Sequence, residues 1–202
     1  MVESTPALCY TAGDAPHITW TIEESLMPHS LLLTGRPGVG KTTLIQRVLA
    51  GLPGLRLAGF ATAEIRDERG RLGFRAAALD GPEIVLAHVE KRSPYRVGKY
   101  GVDVAAFERA IVPLLDVRRR DVDLFVVDEI GKMECFAATF VAAVEQLLAD
   151  PRPFLGTIAL RGPAVIATVR GRPDVVLREV TRDNRDALVD EIVAQVRAWL
   201  EG

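Results

Sequence analysis

The amino-acid sequence predicts an α/β fold in which helices cover both faces of a mainly parallel sheet. Short apolar runs such as Ser30–Thr34 and Leu124–Val127 have the length and composition of strands buried on both faces. Segments with helical spacing of apolar residues follow these runs along the chain. Strands that alternate with helices favour right-handed crossovers, and therefore a three-layer domain with a parallel sheet at its centre.

The first strand–helix unit is followed by a segment of a different kind. The strand Ser30–Thr34 ends at a glycine, and a helix is predicted from Lys41 until Gly51 and Pro53 stop it. Residues 57–90 then hold three β-rich runs separated by turns, with no helical pattern between them. They predict an inserted antiparallel meander with the strands Leu57–Ile65, Leu72–Leu79 and Ile84–Val89.

The alternation resumes after the meander. Asp103 can cap a helix that Pro113 should kink or shorten. Leu124–Val127 is the second buried strand, and the apolar stripe of the next helix includes Phe136, Phe140, Val144, Leu147 and Leu148. Further strands are predicted at Phe154–Ala159 and Val175–Val180, and a C-terminal helix with its stripe at Leu188, Ile192, Val196 and Trp199.

Length and composition indicate one globular domain at residues 30–202. The chain has 202 residues, of which 49% are hydrophobic and 26% charged. These values exclude wholesale disorder and a domain that depends on disulfides. Residues 1–29 are expected to form an extension of unknown role, either a surface-packed arm or hairpin or a gating or partner-binding segment.

Charge and cysteine content exclude several classes of protein. The net charge of −2 argues against nucleic acid or an anionic membrane as the main partner. No run of 18 apolar residues is present, so no membrane span is expected. The two cysteines, Cys9 and Cys135, form no CxxC pattern, which argues against a cysteine-based zinc site. We therefore expect a reduced, cytoplasmic protein that is a monomer and has no membrane partner.

A glycine-rich sequence between the first strand and the first helix matches the pattern GxxxxGK[ST] in every fixed position. In such a loop consecutive backbone N–H groups point at phosphate oxygens, and the following helix adds the positive end of its dipole. Lys41 is expected to contact the β- and γ-phosphates, and the Thr42 hydroxyl to ligate Mg²⁺. The alternative is an ordinary strand–helix turn. The predicted phosphate-binding residues are Gly35, Arg36, Pro37, Gly38, Val39, Gly40, Lys41, Thr42 and Thr43.

Two acidic residues end the second buried strand. Asp128 follows four apolar residues, and the carboxyl end of a parallel strand lies at the edge of the sheet where ligands bind. There Asp128 can hold Mg²⁺. Glu129 can accept a proton from an attacking water. The alternative for both is a solvated or ion-paired acid at the end of a strand.

Further candidates lie in loops near the predicted site. Lys99, between glycines, either delivers a charge to the phosphates or is a turn residue. Arg161 follows a strand and is a candidate γ-phosphate sensor or arginine finger. Asn184 and Arg185 either contact the nucleobase or belong to a helix cap.

Lys132 and Glu134 complete this list, because they follow Glu129 closely along the chain. They either orient water or pair with each other. The three histidines have no ligand spacing, so no transition-metal site is predicted.

Residues 30–200 resemble the P-loop nucleoside-triphosphatases first described from thermophilic microbes, a family that includes the human cancer-related nucleoside-triphosphatase. The motifs that carry the resemblance, besides the phosphate loop, are Gly59-Phe60 with Thr62, Glu64 and Arg66, then Gly73-Phe74, Val97–Val102, Asp128–Glu134 and Val180–Asp186. The resemblance implies slow, Mg²⁺-dependent hydrolysis of nucleoside triphosphates with little choice of base. Residues 1–29 depart from the family pattern.

The expected fold is thus a three-layer α/β P-loop domain with an inserted meander, and the expected function is hydrolysis of nucleoside triphosphates to the diphosphate and phosphate. Two other functions are compatible with the motifs. Small-molecule kinases for a nucleoside or nucleotide share this core and size. The second of these other functions is a nucleotide-sensing binding module whose hydrolysis is incidental.

Overall fold

A computed structural model describes residues 28–201 of the chain. Residues 1–27, which hold most of the expected N-terminal extension, lie outside this range. The strands are β1 Ser30–Thr34, β2 Leu57–Asp67, β3 Gly70–Ala78, β4 Glu83–His88, β5 Arg96–Val97, β6 Tyr100–Val102, β7 Leu124–Ile130, β8 Phe154–Ile158 and β9 Val175–Glu179. The α-helices are α1 Lys41–Ala50, α2 Val104–Ala110, α3 Ala138–Ala149, α4 Ala164–Arg170 and α5 Ala187–Glu201.

All nine strands belong to one sheet, in the order β5-β6-β4-β3-β2-β7-β8-β1-β9. The five strands from β2 to β9 in this order are parallel to their neighbours. Their carboxyl ends therefore meet at the same edge of the sheet, which is where ligands bind in open α/β sheets.

Helices cover both faces of the parallel strands. On one face, α1 and α5 pack against the alternate strand residues Leu31 and Leu33. On the other face, residues of α2, α3 and α4 form a core with Leu32. Phe60, Phe107 and Phe140 meet in this second core with ring centroids 5.4–6.0 Å apart. The predicted three-layer α/β architecture is confirmed.

The meander is continuous with the parallel sheet, because strand β2 belongs to both. Its first residues, Leu57–Ala61, pair in parallel with β7, and Phe60–Asp67 pair antiparallel with β3. Strands β4, β6 and β5 then extend the antiparallel part. The parallel pairing of β2 with β7 ends where Ala61 lies opposite Asp128, and the residues of β2 after Ala61 extend past this point.

Most of the predicted elements are present, with three differences. Asp103 caps α2 by accepting a hydrogen bond from the Ala106 N–H, and Pro113 lies in a 3-10 helix after α2, as expected. Phe136 was predicted on the stripe of α3, but it lies before that helix in the 3-10 helix Glu134–Phe136. Helix α4 and the two short strands β5 and β6 had no strong periodic signal. None of the described helices is long and apolar enough to cross a bilayer.

Candidate functional site

The phosphate loop connects β1 to α1 in a conformation that depends on two glycines. Gly40 precedes the helix with a φ of 107°, a left-handed conformation that residues with a side chain rarely adopt. A Cβ on Gly35 would lie 2.6 Å from the Val180 carbonyl oxygen, so this position has no room for a side chain. No described side chain caps the amino end of α1. Its first N–H groups are thus available to an anion.

The loop and strand β7 bring four predicted residues together. The Lys41 ammonium donates a hydrogen bond to the Gly35 carbonyl, 3.3 Å away, and its charge acts on the carboxyl groups of both Asp128 and Glu129. The Thr42 hydroxyl faces Asp128 and acts to lower the pKa of its carboxyl group. Residues almost 90 positions apart therefore form one polar cluster, at the carboxyl edge of the parallel strands.

Asp128 is almost completely buried, with 2% of its surface exposed. Its Oδ1 accepts a hydrogen bond of 2.6 Å from the Thr157 hydroxyl on β8. Its Oδ2 is buried and has no hydrogen-bond partner among the described residues. Burial raises the pKa of Asp128, although Thr157, Thr42 and Lys41 act in the opposite direction. A buried carboxylate oxygen without a partner, beside a hydroxyl, suits a small divalent cation that prefers oxygen ligands.

Glu129 lies where the ladder between β7 and β8 is irregular. The register of the two strands shifts between Val127 and Ile130, so Glu129 has no paired residue on β8. Burial raises the pKa of its carboxyl group; the Lys41 charge lowers that pKa, and the Asp128 charge raises it. A partly desolvated carboxylate beside a lysine can accept a proton at neutral pH more readily than an exposed one.

Glu134 is buried in the turn that follows β7, with 6% exposure. Burial raises the pKa of its carboxyl group to about 8, and the charges of Glu129 and Asp128 act in the same direction. The pairing of Glu134 with Lys132, one of the two alternatives for these residues, is not found among the ion pairs of residues 28–201. Lys132 is exposed, and its side chain lies close to Gly162.

Asn184 and Arg185 lie in the loop between β9 and α5, next to the phosphate loop. The Asn184 side chain accepts a hydrogen bond from the Thr181 N–H and donates one to the Glu179 carbonyl. The Thr181 hydroxyl accepts from the Asn184 N–H in return, so the two residues close the turn that precedes α5. Arg185 is exposed and donates to the Val39 carbonyl at 3.3 Å, while its side chain passes within 3.6 Å of where a Cβ on Gly40 would lie.

Clefts open on two sides of the phosphate loop. The first cleft has a volume of about 220 Å³ and is lined by Gly40, Thr43, Leu44, Arg47, Arg185 and Asp186. Another of about 600 Å³ is lined by Arg36, Pro37, Gly38, Val39, Glu179, Val180, Thr181 and Arg182. Both offer space for parts of a ligand whose phosphates rest on the loop.

The two remaining candidates lie at different distances from this cluster along the sheet. Arg161 is exposed in the turn after β8, at the same carboxyl edge as Asp128. Lys99 lies in the turn between β5 and β6, its ammonium 5.4 Å from the centre of the Tyr100 ring. Five strands separate β6 from β1 in the sheet, and no described hydrogen bond or ion pair links Lys99 to the phosphate loop. Its role at the phosphates stays a prediction.

Thr157 contacts the candidate site through Asp128 and was not predicted from the sequence. The signal was a polar residue inside the apolar run Phe154–Ile158, next in the sheet to the strand that ends in the acidic pair. Buried polar residues need partners, so a hydroxyl at this depth could have been assigned to Asp128.

Comparisons with known proteins agree with this geometry. A family model described as NTPase matches residues 30–193. The nucleoside-triphosphatase THEP1 of Thermotoga maritima is 39% identical over 167 residues, which are 83% of this chain and 95% of that protein. The human cancer-related nucleoside-triphosphatase is 38% identical over 189 residues, covering 85% of this chain and 98% of the human protein.

Two solved structures have the same fold. The crystal structure of THEP1 from Aquifex aeolicus superposes with a TM-score of 0.73 at 34% identity, covering 83% of this chain and 98% of that one. The solution structure of the human cancer-related nucleoside triphosphatase gives a TM-score of 0.71 at 37% identity, with coverages of 84% and 97%. Since the family model matches residues 30–193 and relatives that are 38–39% identical match 83–85% of the chain, the chain belongs to the NTPase family.

Proposed function

We propose that this protein hydrolyses nucleoside triphosphates to the diphosphate and phosphate, with Mg²⁺. Family membership and the names of its relatives support the reaction class. The observation that carries the proposal is the convergence of a phosphate loop, its lysine and two buried acidic residues at one edge of the sheet.

Phosphate binding is assigned to the loop and the start of α1. The uncapped N–H groups of α1 and the Lys41 ammonium supply positive charge to the β- and γ-phosphates. The Lys41 ammonium donates a hydrogen bond to the Gly35 carbonyl and lies near two carboxylates. A triphosphate would replace the carbonyl as its partner, at little cost in side-chain order.

Thr42 and Asp128 are the residues that would hold the metal ion. The unpartnered Oδ2 of Asp128 and the neighbouring Thr42 hydroxyl support this assignment. When bound, Mg²⁺ supplies charge neutralisation for the β- and γ-phosphate oxygens.

Glu129 is the proposed base. Its carboxylate orients the attacking water and takes one of its protons as the water oxygen bonds to the γ-phosphorus and the bond to the bridging oxygen breaks. The nearby Lys41 charge keeps Glu129 able to ionise despite its burial. An acid directly after the metal-binding aspartate favours water over a kinase acceptor, since an acceptor hydroxyl would come with a binding pocket of its own.

Nucleobase recognition is assigned to Arg185 rather than Asn184. The hydrogen bonds of Asn184 to Thr181 and Glu179 occupy its side-chain oxygen and one amide hydrogen. The exposed Arg185 guanidinium beside the loop can stack on any base, which supports broad base tolerance. We also propose that Arg161 contacts the γ-phosphate and that Lys99 delivers a charge to the phosphates.

We also propose a cytoplasmic monomer whose substrate is a free nucleotide. The net charge of −2 supports a small-molecule substrate over nucleic acid. Size-exclusion chromatography coupled to light scattering tests the oligomeric state.

Phosphate release from a panel of triphosphates, with and without candidate acceptors, tests the function. The wild-type protein should release phosphate from several triphosphates without an acceptor. Glu129→Gln should lower kcat about 10²- to 10⁴-fold and keep nucleotide affinity. Asp128→Asn should lose turnover together with its response to Mg²⁺. If phosphate is transferred only when an acceptor is present, the protein is a kinase and the proposal of hydrolysis is wrong.

A further inference from the structure

A buried carboxyl group with no part in the proposed hydrolysis lies close to Glu129. Glu134 is 6% exposed, and no described ion pair compensates it. Burying such a group without a counter-charge is unfavourable, so a buried glutamate at this position costs stability.

The contacts of Glu134 converge on Gly131, two residues after Glu129. A Cβ on Gly131 would lie 2.7 Å from Glu134 Oε2 and 3.5 Å from Glu129 Oε1. Both carboxyl groups therefore lie close to the same glycine. The N–H groups of Gly131 and of Glu134 itself face this carboxyl group and act to lower its pKa, against the larger effect of burial.

The backbone closes the same turn. The Cys135 N–H donates to the Gly131 carbonyl at 3.1 Å, and the Ala137 N–H donates to the Glu134 carbonyl at 3.0 Å. The Glu134 carboxyl group thus links the two ends of a turn whose first residues follow Glu129. This matters because Glu129 has no ladder partner on β8 to hold it.

The protonation state of Glu134 allows it to lie close to the Glu129 carboxylate. Its pKa of about 8 means that it carries a proton for most of the time at neutral pH. A neutral group adds no second negative charge beside Glu129, and it still accepts hydrogen bonds through its carbonyl oxygen.

We propose that Glu134 is a positioning residue for Glu129: by packing on Gly131, Glu134 fixes the turn that presents the Glu129 carboxylate to water. The inference rests on the proposed role of Glu129 as base. Glu134 acts through another residue and touches no substrate.

Two substitutions at Glu134 and one control test the inference by steady-state kinetics. Glu134→Ala removes the carboxyl group that packs on Gly131 and should lower kcat about ten- to hundredfold, because a displacement of roughly 1 Å in a catalytic group costs up to about 10²-fold. Its KM should stay within about twofold of wild type. Glu134→Gln keeps a neutral acceptor of the same size and should retain kcat within about threefold. Glu145→Ala, an exposed glutamate on α3, should change nothing.

A double-mutant cycle with Glu129→Gln separates positioning from a general structural effect. If Glu134 acts through Glu129, then adding Glu134→Ala to Glu129→Gln should lower kcat no further. The same fractional loss in both backgrounds would overturn the inference. So would a folded Glu134→Ala protein with wild-type kcat, or one in which only KM changes.

Two further outcomes keep the test decisive. If Glu134→Ala does not fold, as judged by its thermal transition, then a loss of more than about tenfold in folded Glu134→Gln overturns the inference. If Glu129→Gln hydrolyses as fast as wild type, the base assignment fails and the inference fails with it. An impaired Glu129→Gln with an unimpaired Glu134→Ala rejects the inference alone.

Discussion

The hydrogen bond from Thr157 to Asp128 yields a prediction that needs neither nucleotide nor metal. Thr157 is fully buried, Asp128 is 2% exposed, and the donor and acceptor oxygens are 2.6 Å apart. Thr157→Val keeps the shape of the side chain and removes the hydroxyl. Oδ1 of Asp128 then loses its donor, while Oδ2 already has no partner among the described residues.

The magnitude follows from the kind of bond that is lost. A hydrogen bond to a charged group contributes about 1.5–3 kcal/mol to stability. In a domain of this length, 1 kcal/mol corresponds to roughly 2–4 °C in Tm. Thr157→Val should therefore lower the Tm by about 3–12 °C. Thr157→Ser restores the hydroxyl and should recover most of this loss.

The measurement is thermal unfolding of the apo protein followed by circular dichroism. A matched control is Thr168→Val, since the exposed Thr168 hydroxyl bonds only to the Ala164 carbonyl within its own helix, at 3.2 Å. The control should change stability by less than about 0.5 kcal/mol. An unchanged Tm for Thr157→Val, or an equal loss for Thr157→Ser, would refute the reasoning. In the active protein, Thr157→Val should also raise the Mg²⁺ concentration needed for half-maximal phosphate release.

Two further substitutions test the phosphate and base contacts. Lys41→Ala should reduce triphosphate affinity and phosphate release by about 30-fold to several thousand-fold, since removing one partner of a desolvated charge costs about 2–5 kcal/mol; near wild-type release would refute the loop assignment. Arg185→Ala should raise KM about five- to thirtyfold for every base and leave kcat nearly intact, the result expected when about 1–2 kcal/mol of uniform binding is lost. A loss of kcat at unchanged KM would place Arg185 at the phosphates instead.

Local chemistry explains why much of the site was predictable from the sequence. The phosphate loop is a contiguous motif: its glycines shape the backbone, and the side chains of Lys41 and Thr42 follow them directly in the chain. Asp128 and Glu129 were assigned because parallel strands present their carboxyl ends at one edge. The order of strands and helices was likewise visible in the spacing of apolar residues, apart from the short α4, β5 and β6.

Contacts between distant residues explain the rest. The preference for Arg185 over Asn184 as a base contact depends on the hydrogen bonds of Asn184 in its folded loop. The placement of Lys99 in the turn beyond β6 depends on a sheet order that the sequence does not encode locally. In the same way, strand β2 belongs to both the parallel and the antiparallel part of the sheet because it pairs with β7, which lies more than 60 residues later.

Sequence alone therefore predicted which groups could bind phosphate and metal, because the identity of a side chain sets what it can ligate. Only the tertiary structure decided which carboxyl groups are desolvated and what supports them. Thr157 and Asp128 are 29 residues apart in the chain and meet because β7 and β8 are neighbours. Glu134 has the composition of an ordinary surface acid in the sequence, and folding buries it against Gly131 beside Glu129. Burial depends on every element that packs around a group, and that information is absent from any short stretch of chain.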